Sequence, residues 1–476
     1  MRMGTPCCVR WKLPWLQSFV SLAFVVFFLI LSSSQSANAL PAFARKYGLR
    51  CSACHESWPM LNYFGQKFKD NGYQLMNDRD APIWQNPGYW PVTFRITPIW
   101  HRLSTGKVAV DQGNGITRIT TSGFDLSGLD FHTGGTLEKN FSFYVLPSSD
   151  ASASFHFETV MARLDNLFGN TWFNIKLGKF ELDNLLSEKR ILTLTGNGGV
   201  YQLYHFMPVV NPTFGRELNI FGQMGANQLG VELMGHSYND RTRYSAALLS
   251  SNDGNVGLPY GNAYTGFFTA SQAFDAGKLG VDRIGAYAMV GQASTYFLTS
   301  GGTTIPGSGL GNKSFHREGI VGQFYFGQHF DMQVVTQHGW DNAWFGQGYG
   351  DPIDTTGAPN NTPNPPTVLP AGSQAPTWNG VLVEPHYVYS PQLIFIGRFE
   401  TIRMSRQATA SNASNLGNIS TYTVGFRYNP FMTSRAGFAW HNEYNWLHSD
   451  GTGPLVGLAT TNVNTGEVLT GFDFDF

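Results

Sequence analysis

The chain has 476 residues, of which 13% are charged and 14% aromatic, and its formal net charge is −1. Soluble domains carry about 25% charged residues, so the composition disfavours a secreted soluble β-protein, which is the alternative class. The balanced charge provides no basic patch, and we expect no nucleic-acid partner. With 54 glycines and many aromatic residues, the composition is typical of a bacterial outer-membrane β-barrel.

The first 39 residues have the organisation of a secretory signal peptide. Arg2 and Arg10 lie in a basic start, residues 19–31 form an apolar run, and residues 37–39 provide a cleavage site of the A-x-A type. The alternative is an uncleaved membrane anchor, but the apolar run is shorter than the 18 or more residues expected of a spanning helix. We therefore predict a cleaved signal peptide over residues 1–39.

A CxxCH motif follows at Cys51, Cys54 and His55. This is the attachment sequence of c-type haem, in which both thiols bond to the porphyrin and the histidine supplies the proximal iron ligand. The competing interpretation is a redox disulfide between Cys51 and Cys54, which usually requires a surrounding βαβ pattern. That pattern is absent from the sequence. We predict one covalently attached haem c, with Cys51 and Cys54 as attachment residues and His55 as proximal ligand.

Apolar residues at helical spacing surround the motif, and Gly72 is a candidate cap at the end of a helix. These apolar side chains either line the haem or form an ordinary helix-packing stripe. The sequence predicts a monohaem segment over residues 40–90 and a barrel over residues 91–476. Met76 and His101 are candidates for the distal iron ligand, and an open distal site is the remaining alternative.

From about residue 93 onward, short segments alternate apolar and polar residues between turn-forming residues. Asn174 and Lys176 lie on one face of such a segment, whereas Ile175 and Leu177 lie on the other. A barrel strand places one face against lipid and the other toward the lumen. A β-sandwich strand has the same period, but the number of segments favours a mainly β fold, a transmembrane antiparallel barrel of about 16 strands within a range of 14–18. Further alternating segments are residues 330–340, 381–389 and 435–444.

The last segment of the chain places Phe472, Phe474 and Phe476 on one face. A terminal aromatic residue on an alternating strand resembles the assembly signal of outer-membrane barrels. On a soluble edge strand, three exposed phenylalanines would favour aggregation. Segments rich in Pro, Asn and Thr, at residues 299–314 and 351–377, predict long extracellular loops.

The residues around the motif resemble a known family. They are Pro41-Ala42-Phe43-Ala44-Arg45, Gly48, Cys51-Ser52-Ala53-Cys54-His55, Pro59, Leu61, Phe64-Gly65, Phe68-Lys69 and Gly72-Tyr73. This stretch is similar to the haem segment of fused outer-membrane monohaem cytochrome–porins, a family that includes the iron(II) oxidases of iron-oxidising bacteria. The resemblance implies a short haem segment held in the lumen of a barrel of about 16 strands. It covers residues 41–73, and beyond them only the architecture matches.

Three residues, Lys46, Tyr47 and Gln66, depart from the family pattern. They do not affect haem attachment, but they leave the redox substrate open. No Fe(II)-binding residue can be carried over from the family. Asp351 and Asp354, in a predicted extracellular loop, are candidate oxygen ligands for Fe(II).

Together these features predict an outer-membrane protein whose haem segment lies in the barrel lumen or the periplasm. Through the haem, electrons would pass between an extracellular donor, with Fe(II) as the candidate, and a periplasmic cytochrome or copper protein. As an enzyme it would be an iron(II):cytochrome oxidoreductase. Two alternatives remain: a diffusion porin whose haem segment is a plug or sensor, and a haem enzyme with an open distal site.

Overall fold

In the computed structural model, most of the described chain is β-strand. The described residues are 42–57, 60–75, 91–109, 115–138, 140–149, 154–186, 192–193, 224–225, 227–251, 263–294, 297–298, 304–305, 312–342, 375, 377–405, 418–433, 436–450 and 462–476. The predicted signal peptide, Met76, Asp351 and Asp354 lie outside them. In this part of the chain, no helix is both long enough and apolar enough to cross a membrane.

The N-terminal segment over residues 42–75, which we call the plug, contains three short helices and one hairpin. The helices are α1 (Ala42–Tyr47), α2 (Cys51–Cys54) and α3 (Tyr63–Asp70), and the hairpin pairs β1 (His55–Ser57) with β2 (Met60–Leu61). The helical pattern around the motif is interrupted because the backbone of His55 is already extended, with φ of −117° and ψ of 137°.

Helix α3 has defined ends. It begins after Asn62, whose side-chain oxygen accepts a hydrogen bond from the Gly65 amide at 2.9 Å, a common way to cap a helix start. It ends at Asp70, and Gly72, the predicted cap, has φ of 72°. Glycine tolerates this left-handed conformation, which ends many helices.

Sixteen antiparallel strands form a closed barrel, which confirms the predicted fold class and strand number. Each strand pairs with its neighbours along the chain, and β20 closes the barrel against β3. A separate hairpin pairs β12 (Phe297–Leu298) with β13 (Thr304–Ile305). The barrel strands are β3 (Val92–Ala109), β4 (Ile116–Glu138), β5 (Phe141–Ser149), β6 (Phe155–Leu164), β7 (Asn174–Phe180), β8 (Gln228–His236), β9 (Thr242–Ser250), β10 (Tyr264–Asp275), β11 (Val281–Ser294), β14 (Asn312–Tyr325), β15 (Phe330–Asp341), β16 (Thr377–Ser390), β17 (Leu393–Met404), β18 (Asn418–Met432), β19 (Gly437–Asp450) and β20 (Asn462–Asp475).

Side chains alternate between the lumen and the outer face, as the sequence pattern predicted. On β7, Asn174 and Lys176 are buried toward the lumen, while Leu177 is exposed on the outside. On β20, Phe472 and Phe474 are exposed on the outer face. The alternating pattern therefore distinguishes the lumen from the outside correctly.

The two ends of the barrel differ in their connections. One end, which we call the short-turn end, holds the start of β3, the end of β20 and short links such as residues 391–392 and 433–436. The other end carries longer links, including residues 181–227 and 342–376. The predicted loop over residues 299–314 was wrong at its end, because β14 begins at Asn312 and a strand pair extends the sheet there.

Candidate haem-binding site

The three predicted haem residues lie together on one turn of chain. The Ala53 amide donates to the Arg50 carbonyl at 2.9 Å, and the His55 amide donates to the Cys51 carbonyl. Both cysteines are free thiols. Because residues three apart share a face of a helix, the Cys51 and Cys54 side chains can attach to a single planar group.

The plug spans the short-turn end of the barrel. The Cys51 thiol donates to the Thr433 carbonyl at 3.5 Å, in the turn between β18 and β19. The Tyr63 hydroxyl donates to the Asn239 carbonyl at 3.4 Å, in the turn between β8 and β9. Since β19 and β8 are seven strands apart in a ring of sixteen, these two contacts lie on nearly opposite walls.

Charged side chains of the wall hold the end of α3. Arg163 on β6 donates to the carbonyls of Lys69 at 2.7 Å and Asp70 at 3.0 Å, and it pairs with Asp165 at 2.8 Å. Arg243 on β9 pairs with the Asp70 carboxylate at 3.0 Å. A cation at the carboxyl end of a helix satisfies free carbonyls and opposes the helix dipole. Wall residues therefore provide the cap that this short helix needs.

Aromatic rings join the plug to β5. Phe43 stacks on Tyr73 with ring centroids 4.8 Å apart, and Tyr73 stacks on Tyr144 at 6.0 Å. Phe68 packs edge-on against Phe43 at 5.3 Å. Of the two interpretations of these apolar residues, the structure therefore shows the packing stripe at Phe43 and Phe68.

Helix α3 also packs directly on the motif. A Cβ atom at Gly65 would lie 2.0 Å from the Cys54 carbonyl oxygen, so only glycine allows this approach. On the opposite side, a Cβ atom at Gly437 on β19 would lie 3.8 Å from the Cys51 sulfur. The motif is thus held between α3 and the first lumen-facing residue of β19.

The surroundings keep both thiols protonated. Burial and the Asp475 carboxylate raise the pKa of the Cys51 thiol to about 12, and burial raises the pKa of the Cys54 thiol to about 11. Burial and the Asp331 carboxylate likewise raise the pKa of Glu56 to about 7. Two free thiols on one turn followed by an imidazole are the donor set of c-type haem, so Cys51, Cys54 and His55 fit that group.

The other predicted ligands are not brought together with the motif. His101 lies on β3, opposite the lumen-facing Leu469 of β20, and is partly buried. Met76 lies outside the described residues, so its role as a distal ligand stays a prediction. Within the described ranges, no group of three or more His, Cys, Asp or Glu side chains could hold a metal ion.

Two buried histidines of the lumen wall were not predicted. His386 on β16 contacts Asp331 at 2.8 Å through Nδ1 and Glu384 at 2.9 Å through Nε2. His441 on β19 lies 3.3 Å from Asp473. Residue 441 falls in the alternating segment 435–444, so its parity could have identified it as lumen-facing, but no local signal indicated the carboxylate beside it.

The described lumen is filled by side chains. Leu192 and Thr193, in the link between β7 and β8, donate to the Glu384 carboxylate at 3.0 Å and 2.7 Å. Arg427 on β18 donates to the Leu192 carbonyl at 3.0 Å. Large apolar residues of the wall face inward and are at most 1% exposed: Phe267, Phe315, Val321, Val335, Trp378, Leu382, Ile402 and Ile419.

No protein-family model and no curated protein matches the sequence. Among solved structures, the chain is similar to the outer membrane channel DcaP of Acinetobacter baumannii, with 9% identity and a TM-score of 0.47 over 81% of this chain and 97% of that chain. It is similar to the anion-selective porin from Comamonas acidovorans, with 11% identity and a TM-score of 0.45 over 81% and 99% of the two chains. For OprB of Pseudomonas putida, the identity is 8% and the TM-score 0.43 over 80% and 94%. The barrel assignment depends on the strand pairing of this chain itself.

Proposed function

We propose that this protein is an outer-membrane electron-transfer protein that carries one haem c on Cys51, Cys54 and His55. It would connect an extracellular donor, with Fe(II) as the candidate, to a periplasmic cytochrome or copper protein. The observation that carries the proposal is a CxxCH turn with two free thiols, held by α3 and β19 in the short-turn mouth of a closed barrel.

The outer face of the barrel supports the location. Apolar side chains between 45% and 62% exposed project from it: Val231, Leu248, Phe268, Val290, Ile320, Phe395 and Val424. A barrel that spans the outer membrane needs an apolar band about 25 Å tall, short periplasmic turns and longer extracellular loops. The short-turn end, with the plug in it, would then face the periplasm.

The chemistry assigned to the chain is attachment, ligation and closure. Each thiol of Cys51 and Cys54 would add its S–H across one vinyl group, so that sulfur bonds to carbon and the proton ends on the neighbouring carbon without an oxidant. The His55 imidazole would give a nitrogen lone pair to the iron. Haem c, when bound, supplies one-electron redox chemistry, with a potential set by ligation and burial. The filled lumen would exclude solutes, so that electrons cross without them.

A diffusion porin with a plug is the second candidate. The observation that favours it is the set of buried ion pairs on the lumen wall, such as Arg317 with Asp341 at 2.8 Å and Arg427 with Asp473 at 3.4 Å. Such pairs would line a polar path if the plug left the mouth. Single-channel conductance in planar bilayers separates the candidates, since the electron-transfer proposal expects a nearly closed channel and the porin expects a large steady conductance.

The decisive experiment mixes the purified protein with Fe(II) in a stopped-flow spectrometer. We expect a c-type spectrum in the reduced-minus-oxidised difference, and reduction by Fe(II) well above the rate without it. Cys54→Ser should lose the covalently bound c-type haem, whereas the matched variant Ser52→Ala should keep it. A chain without covalent haem would reject the proposal, and haem that Fe(II) does not reduce would reject Fe(II) as donor.

A further inference from the structure

We propose that His441 is the second axial ligand of the iron, across the haem from His55. This inference rests on the proposed function, because it requires haem c on Cys51 and Cys54. It is carried by the position of His441 on the wall beside the motif and by the unsatisfied state of its buried ring.

The position follows from the register of β19. Its first lumen-facing residue, Gly437, lies beside the Cys51 sulfur, and Ala439 and His441 are the next two buried positions on the strand. Four residues of strand span about 14 Å, which leaves space for a flat group between the motif and the imidazole. The intervening wall residues, Gly437 and Ala439, are too small to fill that space.

The His441 ring has the features of a ligand without its metal. The residue is 0% exposed, and neither ring nitrogen has a hydrogen-bond partner within the described part of the chain. Buried polar atoms are nearly always satisfied, so such an exception requires an explanation such as a bound ion. The Asp473 carboxylate lies 3.3 Å from Nδ1. Metal-binding histidines commonly donate their second ring N–H to a carboxylate, which would leave the Nε2 lone pair of His441 for iron.

The residue opposite His441 keeps Nε2 accessible. Gly471 on β20 pairs with His441 across the sheet, and a Cβ atom there would lie 2.8 Å from Nε2 and 2.5 Å from the Ile99 side chain. Any side chain at position 471 would therefore press on the nitrogen that is proposed to bind iron.

Other lumen histidines fit less well. Both ring nitrogens of His386 are already engaged, by Asp331 and Glu384. His236 lies on β8, nearly opposite β19 in the ring, and its Nδ1 contacts the Ser237 carbonyl at 3.0 Å. His101 lies one lumen-facing row farther from the short-turn end than the row of His441, Gly471 and Ile99.

The test compares His441→Ala with His101→Ala in the full haem-loaded protein. We expect the ferric haem of His441→Ala to change from low-spin to high-spin in its electron paramagnetic resonance spectrum, and its ferrous form to bind CO where the parent does not. His101→Ala should keep the parent spectrum. His441→Met should restore the low-spin state and raise the reduction potential, because Met/His ligation raises it.

Three outcomes would overturn the inference. They are a low-spin spectrum in His441→Ala, a high-spin parent, or a loss of the low-spin state in Met76→Leu with none in His441→Ala. If His441→Ala does not fold, Asp473→Asn provides the second test, because a weaker imidazole donor should raise the potential while covalent haem is retained. An unchanged potential would then reject the role of His441. A parent chain without covalent haem would instead reject the proposed function itself.

Discussion

The barrel wall and the plug are stabilised in different ways. The wall consists of strands such as β3, with 18 residues, whose backbones pair with both neighbours around a closed ring. The plug consists of elements no longer than α3, with 8 residues, and an isolated helix shorter than about 12–15 residues is marginal in water. Its helix end is capped by Arg163 of the wall, and its rings stack on Tyr144. The wall is therefore self-sufficient, whereas the plug depends on the wall.

Arg163→Ala is expected to break this dependence with the largest effect. The variant removes the cap of α3 and leaves the Asp165 carboxylate, which is fully buried, without its cation. Breaking one partner of a buried pair costs about 3–5 kcal/mol. We expect proteolysis of the plug, between residues 42 and 75, under conditions in which the parent plug resists, while the heat-modifiable band of the folded barrel persists on gels.

The matched control is Arg118→Ala, because Arg118 is exposed and contacts Ser104 near the opposite end of β3. It should leave the plug resistant. If Arg163→Ala unfolded the barrel and the plug together in one transition, the wall would depend on the plug as well, and the distinction between the two regions would be wrong.

Thiol labelling of the haem-free folded chain measures the same dependence from the plug side. A rise in the Cys54 pKa from 9.0 to about 11 lowers the fraction of thiolate, the reactive form, about 100-fold at pH 8. The folded chain should therefore react with iodoacetamide about 100-fold more slowly than the chain in urea. The rate should rise about tenfold per pH unit until the pH passes the raised pKa. Rapid labelling at pH 8 in the folded state would mean that the plug leaves the mouth of the barrel.

How much the sequence predicted differs between the two regions. The wall could be predicted because period two is a local signal: it identified Asn174 and Lys176 as lumen-facing and Phe472 and Phe474 as outward-facing. The haem turn also could be predicted, because a motif of five residues names its own chemistry. The loop prediction failed at Asn312, since composition does not register strand pairing.

The contacts of the plug with the wall could not be predicted. Arg163 lies 93 residues from the Asp70 carbonyl that it holds, and His441 meets Asp473 only because β19 and β20 pair in one register. No short-range pattern carries such distances. The sequence therefore predicted which residues could bind haem but not which wall residues surround them.

Phe476→Ala is expected to have the smallest effect and acts on the wall alone. The Phe476 ring stacks on Phe94 with centroids 5.3 Å apart, and its backbone exchanges hydrogen bonds with Phe94 at 2.9 Å and 3.0 Å. An aromatic pair contributes about 0.5–1.5 kcal/mol beyond its buried area. Because the backbone pairing remains, the variant should lower the urea midpoint of the folded barrel slightly and leave protease resistance of the plug unchanged.

Phe124→Ala serves as the control, since Phe124 is 91% exposed on β4, and it should leave the urea midpoint unchanged. The comparison is informative because Phe476 joins the last strand to the first, where β20 meets β3. If Phe476→Ala instead abolished folded barrel in cells while barely changing the urea midpoint of refolded protein, the terminal ring would act in assembly rather than in stability. That result would show that ring closure depends on recognition of the chain end and not on the stacking contact.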